Sequence, residues 1–284
     1  MAKVQAYARL ARLRQPTGFF LCLAPALWAL SLAPYPFSCW LFWKIMLGAA
    51  LVRGAGCTVN DVIDQDLDKQ VQRTRTRPLP AGLISTKEAW FFFTTQILAA
   101  FLVLLTLNPF TIFLGMAIVI PIGIYPFLKR LTYWPQVFLA FIFNWGVLMA
   151  WSSVMNGLSG SILLLYFATV FSTLGYDTVY AFQDYRDDEQ AGIKAASRRL
   201  GYKKGLLFIQ ASYFLFLVLL SFSFYKLKGA EYLSLPLASS VYLFYALNKL
   251  RLKQPSDCHS FFQANGILGL IIWAGLLILN FVNS

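Results

Sequence analysis

The sequence predicts an all-α, polytopic membrane protein: about nine transmembrane helices around a central cavity, with the N-terminus cytoplasmic. Composition is the first sign. The 284 residues are 58% hydrophobic and 13% charged, with a mean hydropathy of +0.62; a soluble domain carries about 25% charged residues. The second is length: apolar stretches approaching the ~20 residues needed to cross a bilayer recur along the chain, without the alternation of barrel strands. The third is that charge falls mostly in the connections, with the basic residues on alternate sides.

In chain order, residues 1–15 carry Lys3, Arg9, Arg12 and Arg14 and read as a short amphipathic helix on the membrane surface. The first span starts too early to leave much of a cleavable presequence before it. Spans follow at 17–32, 42–59, 89–107, 110–128, 136–153, 162–182, 206–225, 233–247 and 261–282. The eighth is short and contains Pro236. An apolar span, an acidic cluster and a basic loop recur four helices apart. This predicts a single domain over 1–284, built as two pseudo-repeated four-helix halves plus a last helix.

Basic residues orient the stack. They fill 3–14, 69–87, 129–130, 186–204 and 249–253, whereas 33–38, 108–109 and 155–161 carry no charge; Lys44, Lys226 and Lys228 break the pattern. The positive-inside rule then places the N-terminus in the cytoplasm and the C-terminus outside. A net charge of +12 is explained by this flanking and by anionic lipid, so no nucleic acid partner is implied. Cys22, Cys39, Cys57 and Cys258 show no CxxC spacing, and His259 is the single histidine. Zinc and histidine-based chemistry are thereby disfavoured.

Of the twelve acidic residues, four lie in 61–68 and five in 177–189. Carboxylates at the ends of membrane spans are expensive and mark function. On a continuing helix Asn60, Asp64 and Asp68 form one stripe (i, i+4, i+8), Asp61 joins its broad face, and Asp66 points away. Asp184 and Asp188 repeat the i, i+4 spacing. Clustered carboxylates need a cation. With neither imidazole nor thiolate beside them, hard, oxygen-seeking Mg²⁺ fits best, and it binds through a few carboxylates plus substrate phosphates. Arg73, Arg75 and Arg77 follow the first cluster; Lys194, Arg198 and Arg199 follow the second. Guanidinium forks suit diphosphate oxygens, although flanking arginines also serve topology. Arg53 and Asp177 lie within spans and pair with each other or contact substrate. A cation-coupled transporter is the competing class, but it would carry its acidic residues near the midplane.

The run Arg53-Gly54-Ala55-Gly56-Cys57-Thr58-Val59-Asn60-Asp61-Val62-Ile63-Asp64-Gln65-Asp66-Leu67-Asp68, followed by Arg77-Pro78-Leu79-Pro80-Ala81-Gly82, resembles the UbiA family of intramembrane aromatic prenyltransferases. The family's NDxxDxxxD motif matches at Asn60, Asp61, Asp64 and Asp68, and its DxxxD motif at Asp184 and Asp188. The stretch from Tyr125 to Gln136, with Asn144-Trp145-Gly146, is similar to the branch acting on 4-hydroxybenzoate. The resemblance implies that these six residues hold Mg²⁺ and a polyprenyl diphosphate. It implies catalytic roles for Asp64, Asp184 and Asp188. Substrate contacts are implied at Arg53, Arg73, Arg77, Lys129, Arg130, Asp177 and Lys194, with Lys129 or Arg130 on the carboxylate of 4-hydroxybenzoate. It also implies the ubiquinone pathway and a bacterial inner membrane, with the mitochondrial inner membrane or another aromatic acceptor as alternatives. One departure stands out. Relatives often carry serine directly after the lysine that follows the second motif, and here the chain reads Lys194-Ala195-Ala196.

Overall fold

The computed structural model describes residues 2–70, 74–190 and 194–283, and among them it is helical without a strand. The helices are α1 (Ala2–Leu10), α2 (Pro16–Leu32), α3 (Cys39–Ile63), α4 (Gln65–Asp68), α5 (Thr86–Leu104), α6 (Pro109–Ala117), α7 (Val119–Leu131), α8 (Pro135–Phe143) and α9 (Trp145–Met155). They continue with α10 (Gly160–Gln183), α11 (Tyr185–Gln190), α12 (Ala196–Lys228), α13 (Ser234–Lys249) and α14 (Pro255–Val282). Among the described residues, seven helical segments are long and apolar enough to cross a membrane. The chain is an integral membrane protein. The predicted spans 17–32 and 233–247 fall on the shorter helices α2 and α13.

Local sequence explains the starts. Ser85 and Glu88 form a reciprocal capping box at α5, while Ser38, Asn108 and Ser159 accept from backbone N–H groups at α3, α6 and α10. Pro16, Pro109, Pro135 and Pro255 occupy the first turns of their helices, where no N–H is needed.

Helix α2 is apolar on every side, and Leu23, Ala24, Ala26, Leu27, Trp28, Ala29 and Leu30 are all buried. A helix without a polar face belongs inside a bundle, and α14, α9 and α3 surround it. The outer helices instead present Phe91, Ile120, Phe244 and Phe281 outward. In water such a surface would aggregate; against lipid tails it costs nothing. Helices α10 and α12 make the most extensive packing, at close range because of glycine. A Cβ on Gly175 would stand 2.7 Å from the Tyr213 ring. That ring is tethered by its hydroxyl, which donates to Asn265 Oδ1 at 2.8 Å. Gly175→Ala is therefore expected to destabilise by about 1–3 kcal/mol, read as a lower Tm in detergent.

Three features depart from the sequence reading. The fourth and fifth spans are each broken, around Ile118 and Asn144, so α6–α7 and α8–α9 replace single rods. Helix α1 turns its apolar side to protein rather than to lipid. Ala6 and Leu10 pack with Leu79, Ile84 and Ala89 in a small second core. Arg9 donates to the Thr76 carbonyl at 2.5 Å, and Lys3 pairs with Glu88. Finally, the first acidic stripe does not lie on one uninterrupted helix.

Candidate active site

Both acidic motifs sit where a long helix stops. Helix α3 ends at Asp64 (φ −91°, ψ 7°), and α10 ends at Asp184 (φ −100°, ψ 11°). Each break is followed at once by a short helix, α4 or α11. These dihedrals fall in the sparsely populated bridge region that active-site residues often occupy. Backbone bonds nevertheless run through the first break: Asp64 N–H donates to the Asn60 carbonyl at 2.9 Å, and Asp68 N–H to the Asp64 carbonyl at 2.8 Å. The i, i+4 stack of Asn60, Asp64 and Asp68 thus survives the loss of regular helix. Asp66 stands outside it, exposed and paired with Lys69 at 2.9 Å.

Asp61 is fully buried, and its Oδ1 accepts from Arg12 Nη2 at 2.6 Å and from Arg77 Nη1 at 3.2 Å. The same Arg77 nitrogen donates to Asp68 Oδ2 at 2.7 Å. Two carboxylates and two guanidiniums therefore form one cluster. Thr74 adds a bond from its hydroxyl to the Asp68 carbonyl at 2.9 Å. Burial works against charge on Arg12, but Asp61 beside it more than offsets this and holds the guanidinium above its ordinary pKa. At Asp68 burial prevails: its carboxyl lies above the usual range, with Arg77 pulling the other way.

Sequence reading placed Arg12 on a surface helix and missed this role. Spacing gives no signal for it, since Arg12 and Asp61 are 49 positions apart. The partner becomes available because α1 docks on the 79–89 segment and the chain turns sharply at Arg12, whose φ is +58°.

The other candidate residues divide. Arg53 donates to the Gln15 carbonyl at 3.4 Å and packs where a Cβ on Gly18 would meet its Nη2 at 2.7 Å; an ion pair with Asp177 is not among the described contacts. Asp177 and Asp64 instead share a neighbour that sequence reading did not select, Tyr125 on α7, which feels the charge of both. Helix α7 also packs against α3. Lys194 Nζ reaches the Leu131 carbonyl at 3.5 Å and lies 6.0 Å from the Tyr133 ring centre, which ties the loop before α12 to the end of α7. Arg73 lies outside the described residues, as do the side chains of Lys129, Arg130 and Asp188.

A hard cation fits the donor set. Asp61 Oδ2 is buried and accepts no hydrogen bond, as is Gln183 Oε1 beside Asp184. Buried oxygens in that state are costly unless a cation or donor meets them. Among the described residues no three of His, Cys, Asp or Glu close into a cage.

The fold is thus an apolar helical bundle carrying two aspartate-capped helix breaks. The chain matches the model of the UbiA prenyltransferase family over residues 22–275 and belongs to that family. It is 39% identical to the human protein named 4-hydroxybenzoate polyprenyltransferase, mitochondrial, covering 98% of this chain and 76% of that one. It is 36% identical to 4-hydroxybenzoate octaprenyltransferase of Vibrio campbellii, covering 97% and 98%. Among solved structures, an apo UbiA homolog from Aeropyrum pernix K1 superimposes with a TM-score of 0.80 at 21% identity, over 93% of this chain and 98% of that one. A UbiA homolog from Archaeoglobus fulgidus bound to GPP and Mg²⁺ gives 0.71 at 17% identity, over 95% and 99%.

Proposed function

We propose that this protein transfers a polyprenyl group from polyprenyl diphosphate to the ring carbon ortho to the hydroxyl of 4-hydroxybenzoate, releasing diphosphate, in ubiquinone biosynthesis. The observation that carries this is near-full-length identity of 36–39% to enzymes named for that reaction. The two aspartate-capped breaks support the chemistry. Mg²⁺ is the proposed cofactor, supported by the buried oxygens at Asp61 and Gln183 and by the metal-bound relative. Its ligands are proposed to be Asn60, Asp61, Asp64, Asp68, Asp184 and Asp188.

The metal supplies Lewis-acid stabilisation of the charge that develops on the leaving diphosphate. The protein's own residues do the rest. Arg77 and Arg12 place positive charge beside the first motif, where it adds to the stabilisation of diphosphate oxygens. Arg73 and Lys194 are assigned to the same anion. Lys129 or Arg130, at the end of α7, holds the acceptor's carboxylate and so sets which ring carbon faces the allylic centre, while Arg53 and Asp177 border the pocket. The C–O bond to diphosphate breaks, the ring carbon takes the allylic carbon, and loss of the ring proton restores aromaticity. Asp184 or Asp188 orients the phenol. The isoprenoid tail lies among apolar helices, where its carbons need no compensation.

As a further part of this reading, residues 1–284 act as one intramembrane domain in two pseudo-repeated halves. The equivalence of Asp64 and Asp184 supports it. The site opens to the cytoplasmic face of a bacterial inner membrane, or to the corresponding face in a mitochondrion. Incubating the purified protein with Mg²⁺, polyprenyl diphosphate and 4-hydroxybenzoate should yield prenylated product. EDTA should abolish it, and added Mg²⁺ should restore it. Failure to form product with metal present would overturn the assignment.

A further inference from the structure

The break between α8 and α9 meets the proline turn of α2 at one small cavity, and we propose that it binds a single structural water molecule. The cavity measures about 20 Å³ and is lined by Leu21 and Pro25 of α2, Asn144 at the α8–α9 break, and Ser172, Thr173 and Tyr176 of α10.

The hydrogen-bond ledger there is incomplete at two points. Pro25 has no N–H, so the Leu21 carbonyl loses its partner one turn later in α2. Asn144 is 1% exposed, and both of its amide hydrogens are used: Nδ2 donates to the Ala140 carbonyl at 2.8 Å and to Thr173 Oγ1 at 2.7 Å. Its Oδ1 accepts nothing. An amide oxygen left so is destabilising, and within a membrane no bulk water reaches it. Broken helices persist at membrane depth when side chains or ordered waters satisfy the freed groups.

Size and chemistry select the ligand. A water needs at least about 10–15 Å³ and two to four polar partners, so this space takes one and not two. The water donates to Asn144 Oδ1 and to the Leu21 carbonyl. It accepts from the hydroxyl of Ser172 or from Tyr176, whose oxygen shares a hydrogen bond with Thr173 Oγ1 at 2.9 Å. A dry apolar void has the opposite signature, because it admits xenon. The water would bridge α2, α9 and α10.

The test is a crystal structure of the wild-type protein, with a parallel crystal under xenon pressure. The expected map shows a peak within about 2.7–3.2 Å of Asn144 Oδ1 and no xenon in the cavity. In Asn144→Leu crystals the peak should vanish. Xenon bound between Pro25 and Asn144, or a peak that persists in the leucine variant, would overturn the proposal.

Discussion

Asp64→Ala is expected to lower kcat for prenyl transfer by at least about 10²–10³-fold, the scale seen when one preorganised stabiliser of transition-state charge is removed. Asp64 occupies the break between α3 and α4, where its backbone bonds tie it to Asn60 and Asp68. Alanine keeps that backbone, so the fold should survive. The loss should appear chiefly in kcat, with a Mg²⁺ titration that no longer saturates over the wild-type range. Asp184→Ala should behave alike, because Asp184 caps α10 with nearly the same dihedrals. Near-wild-type turnover in the Asp64 variant would remove this residue from the site.

Arg77→Ala should act differently, losing stability and activity together. Arg77 bridges Asp61, which is fully buried, and Asp68, which is mostly so. Removing one partner from a buried pair is destabilising by about 3–5 kcal/mol because the remaining charge is stranded. Arg77 is itself partly exposed, so the low end of that range applies. Tm in detergent should fall, and activity with it. Arg12→Ala should follow in the same direction, with Arg12→Lys restoring part of the loss, since lysine keeps the charge but not the fork. Lys69→Ala is the internal control: its pair with Asp66 is exposed, and its removal should change neither reading. An Arg77 variant as stable as wild type would show that Asp61 and Asp68 do not depend on it.

The two variants also separate what was readable in the chain from what was not. The stripe of Asn60, Asp64 and Asp68, and the outward-pointing Asp66, follow from helical period alone, and a break at Asp64 leaves them standing because the i→i+4 backbone bonds continue. Among the described residues, the seven membrane-length helical segments follow from runs of apolar residues, most of them opened by a cap or a proline close by in sequence. Gln183 carried no signal: a glutamine before an acidic motif is unremarkable until its Oε1 is buried without a donor. The breaks at Ile118 and Asn144 were equally silent, since an apolar run reads the same straight or bent.

Sequence by itself determined the membrane class, the helical segments and the two acidic motifs, because hydrophobic burial, capping and periodicity are local and act over a few residues. The tertiary structure alone decided that α1 folds onto the 79–89 segment and that Arg12 meets Asp61. Ion pairs depend on separation in space, falling off within a few ångströms in a screened medium. Separation along the chain does not encode that distance.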